Sequence, residues 1–347
     1  MHLSQPHCPS RIAGFAAVCL IVVSLSACGS AALTSRTETR ANARSTPSSG
    51  LIISLSLPLS FSFSQSWNVA WRDASKAFGF TYQDEAPPNL ANFVPDYTTL
   101  FKEAISRHPA AILVGDFVPS AFDPLIAQAK SQGVPVVVYD TGLPNWREAG
   151  AIGFAGYSYS AQGQVAGAQE LKHGVKHFVC VNPASNNPDF SLECQSADKA
   201  VIKAGGTATT FNTPLADAGN PSLIQQEVEG FLKTHAGTDG VFSASDGINP
   251  GILQALKALG RSDTTYGTTN ISAEVLDGVK SGRIAFAVDV QTYLEAFDAF
   301  QIAAQYVRYH LLPSAPILTG GVVDDRSNID SLRATQTRYP GVLAGAS

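Results

Sequence analysis

At six places in this chain a short apolar run opens into residues able to hold a small molecule. Gly115-Asp116, Asp140-Thr141, Ser245-Asp246 and Thr268-Thr269-Asn270 close four such runs, and Asp289 with Gln291 closes a fifth. Carboxylates, amides and hydroxyls give and take hydrogen bonds in directed sets, the chemistry that reads ligand hydroxyls. Any single one could be a helix cap, a role that would suit Asp246 and Asn270. The sixth place is Pro58 to Trp67, where Phe61, Phe63 and Trp67 are interleaved with serines and Gln65. Apolar plates beside polar handles suit a sugar, whose ring faces are apolar and whose rim is polar; the alternative is that these rings are core.

Bond-making chemistry is less well served. Asp140-Thr141-Gly142 matches the triplet of aspartic proteases, but no second triplet accompanies it and it follows a buried α/β strand. Gly156-Tyr157-Ser158-Tyr159-Ser160 approaches a nucleophile elbow and ends in Ser where Gly is needed. The histidines lack metal-ligand spacing, and no GxGxxG or Walker loop is present, so neither a metal nor a cofactor is expected.

The elements that would position these residues alternate. Strands are expected over 51–57, 80–84, 110–115, 134–139, 150–154, 176–182, 206–211, 239–244, 263–267, 284–288 and 316–323, with helical segments between them. Val134-Pro135-Val136-Val137-Val138-Tyr139 is nearly all apolar, as in a strand buried on both faces. Over 123–133, Asp123 can cap a helix, Pro124 suits its first position and Gly133 its left-handed exit. This alternation is that of an α/β fold with parallel sheets, and eleven strands fit two doubly wound lobes better than one open sheet. Ligands bind such sheets at the carboxyl ends of their strands, where the polar residues above fall.

The chain has 347 residues, a formal charge of -5 and only 15% charged residues. That balance argues against nucleic acid, which demands clustered Lys and Arg. Arg11, the apolar run Ile12–Leu25 and Leu25-Ser26-Ala27-Cys28 read as a signal peptide over 1–27. Leu-Ser-Ala-Cys resembles the lipobox of bacterial lipoproteins, which makes Cys28 the lipidated first mature residue; an ordinary signal with an incidental Cys is the alternative. Residues 28–49, rich in Ser, Thr, Ala and Arg, read as a flexible tether. Cys8 and Cys19 leave with the signal, so Cys180 and Cys194 remain as a candidate disulfide in an oxidising compartment, or as two buried thiols.

Residues 50–325 resemble the ribose-binding type of periplasmic (type I) sugar-binding proteins of ABC importers. The likeness is carried by Gln132 to Asp140, Asp239-Gly240-Val241-Phe242-Ser243-Ala244-Ser245-Asp246, Gly278 to Ile284, and Val288-Asp289-Val290-Gln291-Thr292-Tyr293. It implies two lobes, 50–155 plus 292–319 and 157–290 plus 321–347, joined by crossovers near 155–157, 290–292 and 318–321. A ligand, most simply a monosaccharide or polyol, would be clamped between them by a monomer that delivers it to a membrane permease; the alternative partner is a sensor kinase. The protein would sit in the cell envelope, lipid-anchored to the outer face of the cytoplasmic membrane or in the periplasm. The strand-end reading and the resemblance together give the expected ligand contacts: Phe61, Phe63, Gln65, Trp67, Asp116, Asp140, Thr141, Ser245, Asp246, Asn270, Asp289 and Gln291. The resemblance also exposes two departures, because Thr141 and Glu193 stand where relatives commonly have Arg. Without those bidentate donors, a ligand rich in donors of its own is expected: a polyol, an amino sugar or a cation.

Overall fold

A computed structural model describes residues 50–343. The expected signal peptide, the tether and Cys28 lie outside the described residues. Apolar runs become strands and amphipathic segments become the helices that cover them. The first stretch runs β1 (Leu51–Leu55), α1 (Ser62–Phe78), β2 (Thr81–Glu85), α2 (Phe93–Ser106), β3 (Ala111–Gly115), α3 (Pro119–Ser131), β4 (Val136–Asp140), α4 (Trp146–Ala149) and β5 (Gly153–Tyr157). The second runs α5 (Tyr159–Lys172), β6 (His177–Asn182), α6 (Pro188–Lys203), β7 (Thr207–Asn212), α7 (Pro221–Thr234), β8 (Gly240–Ser243), α8 (Asn249–Ala258), β9 (Thr265–Thr269), α9 (Ala273–Ser281) and β10 (Phe286–Asp289). Then follow α10 (Thr292–Tyr309), β11 (Ile317–Thr319), β12 (Val322–Asp324) and α11 (Ile329–Arg338).

Two six-stranded sheets result, ordered β2-β1-β3-β4-β5-β11 and β7-β6-β8-β9-β10-β12. All neighbours are parallel except β12, which runs antiparallel to β10. Each sheet with its helices forms one lobe of a doubly wound α/β fold. β3 and β4 are buried along their whole length, which is why their sequences are continuous apolar runs rather than alternating ones. The chain passes between sheets after Tyr157, between Asp289 and Thr292, and between Thr319 and Val322. α10 returns to pack on α1, β3, β4 and β5 of the first sheet.

Three expectations need correction. The strand expected over 316–323 is two strands in different sheets, divided at Gly320 and Gly321, whose φ of 84° and 76° turn the chain in a region closed to most residues. Asp123 and Pro124 do not open a helix: α3 begins at Pro119, and the Asp123 carboxylate instead accepts from the Asn145 amide at 2.9 Å. The chain end assigned to the second lobe also comes back to the first. The Val342 carbonyl accepts from Ser66 of α1 at 3.3 Å, and a Cβ on Gly341 would stand 2.8 Å from Val69 of the same helix.

In the second lobe, α5 and α6 approach so closely that only glycine fits between them. A Cβ on Gly163 would stand 2.0 Å from the Glu193 carbonyl, and one on Gly167 would stand 2.7 Å from the Ala200 methyl. α6 is held from its other side by a disulfide between Cys180 of β6 and Cys194, with Cα atoms 5.5 Å apart, an ordinary spacing. These two constraints fix how far α6 projects toward the strand ends. Closing a loop of this size removes unfolded-state entropy worth ~3 kcal/mol. A Cys180→Ser/Cys194→Ser double variant is therefore expected to lose about that much stability in urea unfolding; an unchanged midpoint would show that the bridge does not hold the lobe.

Candidate functional site

In sheets ordered 2-1-3-4-5 the crevice opens where the winding reverses, between β1 and β3 in one lobe and between β6 and β8 in the other. A cavity lies there, between the carboxyl ends of both sheets. From the first reversal come Leu57, Phe61 and Phe117, and from the second come Pro183, Ala184, Asn187, Ala244, Ser245 and Asp246. Phe63 and Trp67 of α1 add rings to the first wall, in contact at 5.2 Å between centroids. Tyr157 and Tyr159 stack at 4.2 Å where the chain first crosses, and Phe190 packs on Tyr159.

Polar groups enter this aromatic chamber from both lobes. Asp140 closes β4 with φ 61°, and Asn270 follows β9 with φ 71°, left-handed conformations that cost most residues free energy and cluster at functional sites. Asp140 accepts from the Tyr159 hydroxyl at 3.4 Å. Asp246 accepts from Ser62 of the opposite lobe at 2.6 Å, and Asn270 also hydrogen-bonds its carboxylate. Neither Asp246 nor Asn270 is a helix cap: Ser245 and Ser272 supply the oxygens that cap the turns after β8 and before α9. Glu295, in the first turn of α10, is fully buried and accepts from the Trp67 indole at 2.5 Å. Among the described residues, the second oxygen of Glu295 and the amide oxygen of Asn270 have no hydrogen-bond partner, though both residues line the chamber.

Phe61, Phe63, Trp67, Asp140, Ser245, Asp246 and Asn270 thus meet at one chamber. The other candidate residues lie outside its lining. Gln65 donates to the Leu59 carbonyl on the outer surface. Asp116 is fully buried and accepts from the Asn145 amide at 3.1 Å. Thr141 joins the lobes: its hydroxyl accepts from Asn187 at 2.8 Å and donates to Asp189 at 3.0 Å, while the Gly142 amide donates to the same Asp189 oxygen at 2.7 Å. Asp289 accepts from the Gln291 amide, and Gln291 accepts from Gly320, so both brace the connecting strands. Residues that the sequence reading passed over include Tyr157, Tyr159, Asn187, Phe190 and Glu295. The Asn187-Pro188 cap signature after β6 could have drawn attention to Asn187; a glutamate one turn into a helix carries no such mark.

Residues 54–310 match the periplasmic binding protein domain family. The chain belongs to that family. Membership makes it a binding protein rather than an enzyme. It is 24% identical over 268 residues to the xylose/arabinose-binding protein of Sulfolobus acidocaldarius, a match covering 71% of this chain and 64% of that protein's length. A carbohydrate transporter from Acidothermus cellulolyticus, solved with myo-inositol, superposes with TM-score 0.74 at 23% identity, covering 84% of this chain and 99% of that one. A solute-binding protein from Actinobacillus succinogenes, solved with D-allose, gives 0.69 at 16% identity over 81% and 99%. At such identities the superpositions establish the fold. Among the described residues no helix is long and apolar enough to cross a membrane, and no group of His, Cys, Asp and Glu is arranged to hold a metal ion.

The binding protein's strand ends carry acids without counterions. No Lys, Arg or His lines the chamber, and Thr141 and Glu193 occupy the positions where arginine was missed. Burial pushes the Asp140 carboxyl up to about 8, with the Asp189 charge adding to it; burial also raises Glu193 and Asp116 to about 8, Asp289 to about 7, and Asp246 to about 6. In the unfolded chain these groups return to ~4. Between pH ~4 and ~8 the folded protein therefore binds more protons than the unfolded one, and stability falls as pH rises. Scanning calorimetry without ligand is expected to show Tm dropping steadily from pH 5 to pH 8, by several degrees, and a flat or rising Tm would contradict this electrostatic picture.

Proposed function

We propose that this protein captures a small polyhydroxylated ligand, a monosaccharide or polyol, between its lobes and delivers it to the permease of an ABC importer, while a lipid on Cys28 holds it at the cell envelope. The observation that carries the reading is the chamber itself. Rings of Phe63, Trp67, Tyr157 and Tyr159 supply apolar faces, and Asp140, Asp246, Asn270 and Ser245 supply acceptors and donors at their edges. That is the composition that binds a flat, apolar-faced ring with a polar rim. The sugars and the cyclitol borne by the related proteins are of this class.

Function follows from having the contacts divided between lobes. A ligand that meets Asp140 and Trp67 on one lobe gains Asp246 and Asn270 of the other only when the lobes come together. It shifts the equilibrium by that difference in affinity and by nothing else. The closed protein is then the form that a permease would read.

A thermal-shift and calorimetric screen of monosaccharides and polyols tests this, with stabilisation by at least one class expected; stabilisation by none would remove the carbohydrate assignment. For a compound that binds, Asp246→Ala should lose about 2 kcal/mol of affinity, because a buried partner is left unpaired, while circular dichroism stays native.

A further inference from the structure

A neutral sugar offers the acids of this chamber no counterion. Asp140, Asp246 and Glu295 line it, Asp189 bonds to the Thr141 and Gly142 beside Asp140, and Glu193 accepts from the lining residue Thr269 at 2.5 Å. The groups facing Asp140 and Glu295 are Asp189 and Glu193 of α6, Tyr157 of β5, Tyr159 of α5, Trp67 of α1 and Asp289 of β10, and none of them is cationic. A hydroxyl-bearing ring offers these acids hydrogen-bond donors but no compensating charge. Buried carboxylates need that charge to remain ionised.

The free oxygen of Glu295 shows where a charge would go. Its partner oxygen is occupied by the Trp67 indole, and the residue is wholly buried at the chamber wall. After burial itself, the nearby Asp140 is the main influence on its proton affinity. Both acids belong to the first lobe, so the pair exists before the lobes close. An ammonium group carries three donors and one positive charge, enough to satisfy both carboxylates. The surrounding rings of Trp67, Phe63 and Tyr159 are the neighbours a desolvated cation prefers. A metal ion fits less well, since the oxygens are too few and no metal-holding cluster exists among the described residues.

We propose that the ligand is a polyhydroxylated ring bearing an ammonium group, an amino sugar or aminocyclitol, with its ammonium seated between Asp140 and Glu295. This refines the carbohydrate reading above and rests on it. Burial raises the Asp140 carboxyl to about 8 and the Glu295 carboxyl well above its ordinary value, which favours their protonated forms in the absence of a counterion. An arriving ammonium favours their ionised forms, so binding releases protons to solvent, and a neutral ring in the same place releases none.

Matched pairs test the proposal in the purified protein at pH 7. Calorimetry would compare glucosamine with glucose, galactosamine with galactose, and scyllo-inosamine with scyllo-inositol, each in two buffers of different ionisation enthalpy. In at least one pair the aminated member should bind roughly tenfold tighter, the scale of exchanging a neutral for a charge-assisted hydrogen bond, with net proton release. Glu295→Gln, which keeps an acceptor for the Trp67 indole, should abolish that preference. Equal or tighter binding of the neutral member in every pair would overturn the ammonium seat and leave the carbohydrate reading standing. Binding by neither member of any pair, nor by any compound in the wider sugar and polyol screen, would overturn both. A preference without proton release, or one that survives Glu295→Gln, would also overturn the seat. Should that variant fail to fold, the paired comparison in the unaltered protein still decides.

Discussion

Asp189, at the start of α6, accepts hydrogen bonds from the Thr141 hydroxyl and the Gly142 amide at the end of β4. These bonds join the open end of one sheet to the open end of the other, and much of the site depends on them. The carboxylate is well placed to make them. It lies in the first turn of a helix, where the exposed amides favour negative charge, and Asn187 caps that turn by accepting from the Asp189 amide at 2.9 Å. The Asn187 side-chain amide then reaches Thr141 from the other side. α6 can present this pair only because Gly163 and Gly167 let α5 lie close against it and the disulfide ties it to β6.

The same bonds set the electrostatics of the chamber. An arginine at position 141 would have placed a positive charge beside Asp140 and kept that carboxylate ionised. Threonine supplies a hydroxyl that is consumed in holding the lobes together, and the charge that acts on Asp140 is the negative one of Asp189. Likewise Glu193, where an arginine would have faced the strand ends, adds a further buried acid bonded to Thr269. The two departures from the arginine pattern therefore act in one direction. They turn a site that would have offered guanidinium donors into one that offers carboxyl acceptors.

How much of this was legible in the sequence depended on what kind of signal each residue leaves. Strand ends were legible, because an apolar run stopping at Asp140, Asp246 or Asn270 marks where a parallel strand opens whatever the surrounding fold. The doubly wound alternation followed for the same reason. What failed was orientation within a segment. Pro58 to Trp67 was read as one stretch in which Phe61, Phe63, Gln65 and Trp67 share a task. α1 begins at Ser62, so Phe63 and Trp67, four apart, lie on one helical face, while Gln65, about 200° round from Phe63, points elsewhere. Glu295 escaped notice because an acid in the first turn of an amphipathic helix is ordinarily solvated. Only packing α10 against α1 and the first sheet buries it under Trp67. Contacts between elements distant in sequence leave no local period, and the Thr141–Asp189 bonds are of that kind.

The connecting strands carry the remaining constraint, on how far the lobes can move. Thr319 donates to the Val290 carbonyl at 2.8 Å, Gln291 accepts from Gly320, and Gln162 of α5 both donates to the Val288 carbonyl and accepts from Gly321. Two crossings are thus stitched to each other by side chains, so they can bend together but cannot slide independently. Asp289 and Gln291 serve this stitching, which explains why polar residues at the end of β10 do not face the chamber. Opening at these crossings would break Thr141–Asp189 and Ser62–Asp246 together. Those bonds favour closure even with nothing bound, so a ligand has less of the closing free energy to supply through its own contacts. Selectivity between ligands then rests on groups that the interlobe bonds leave unused, and in the first lobe the free oxygen of Glu295 is the clearest of these.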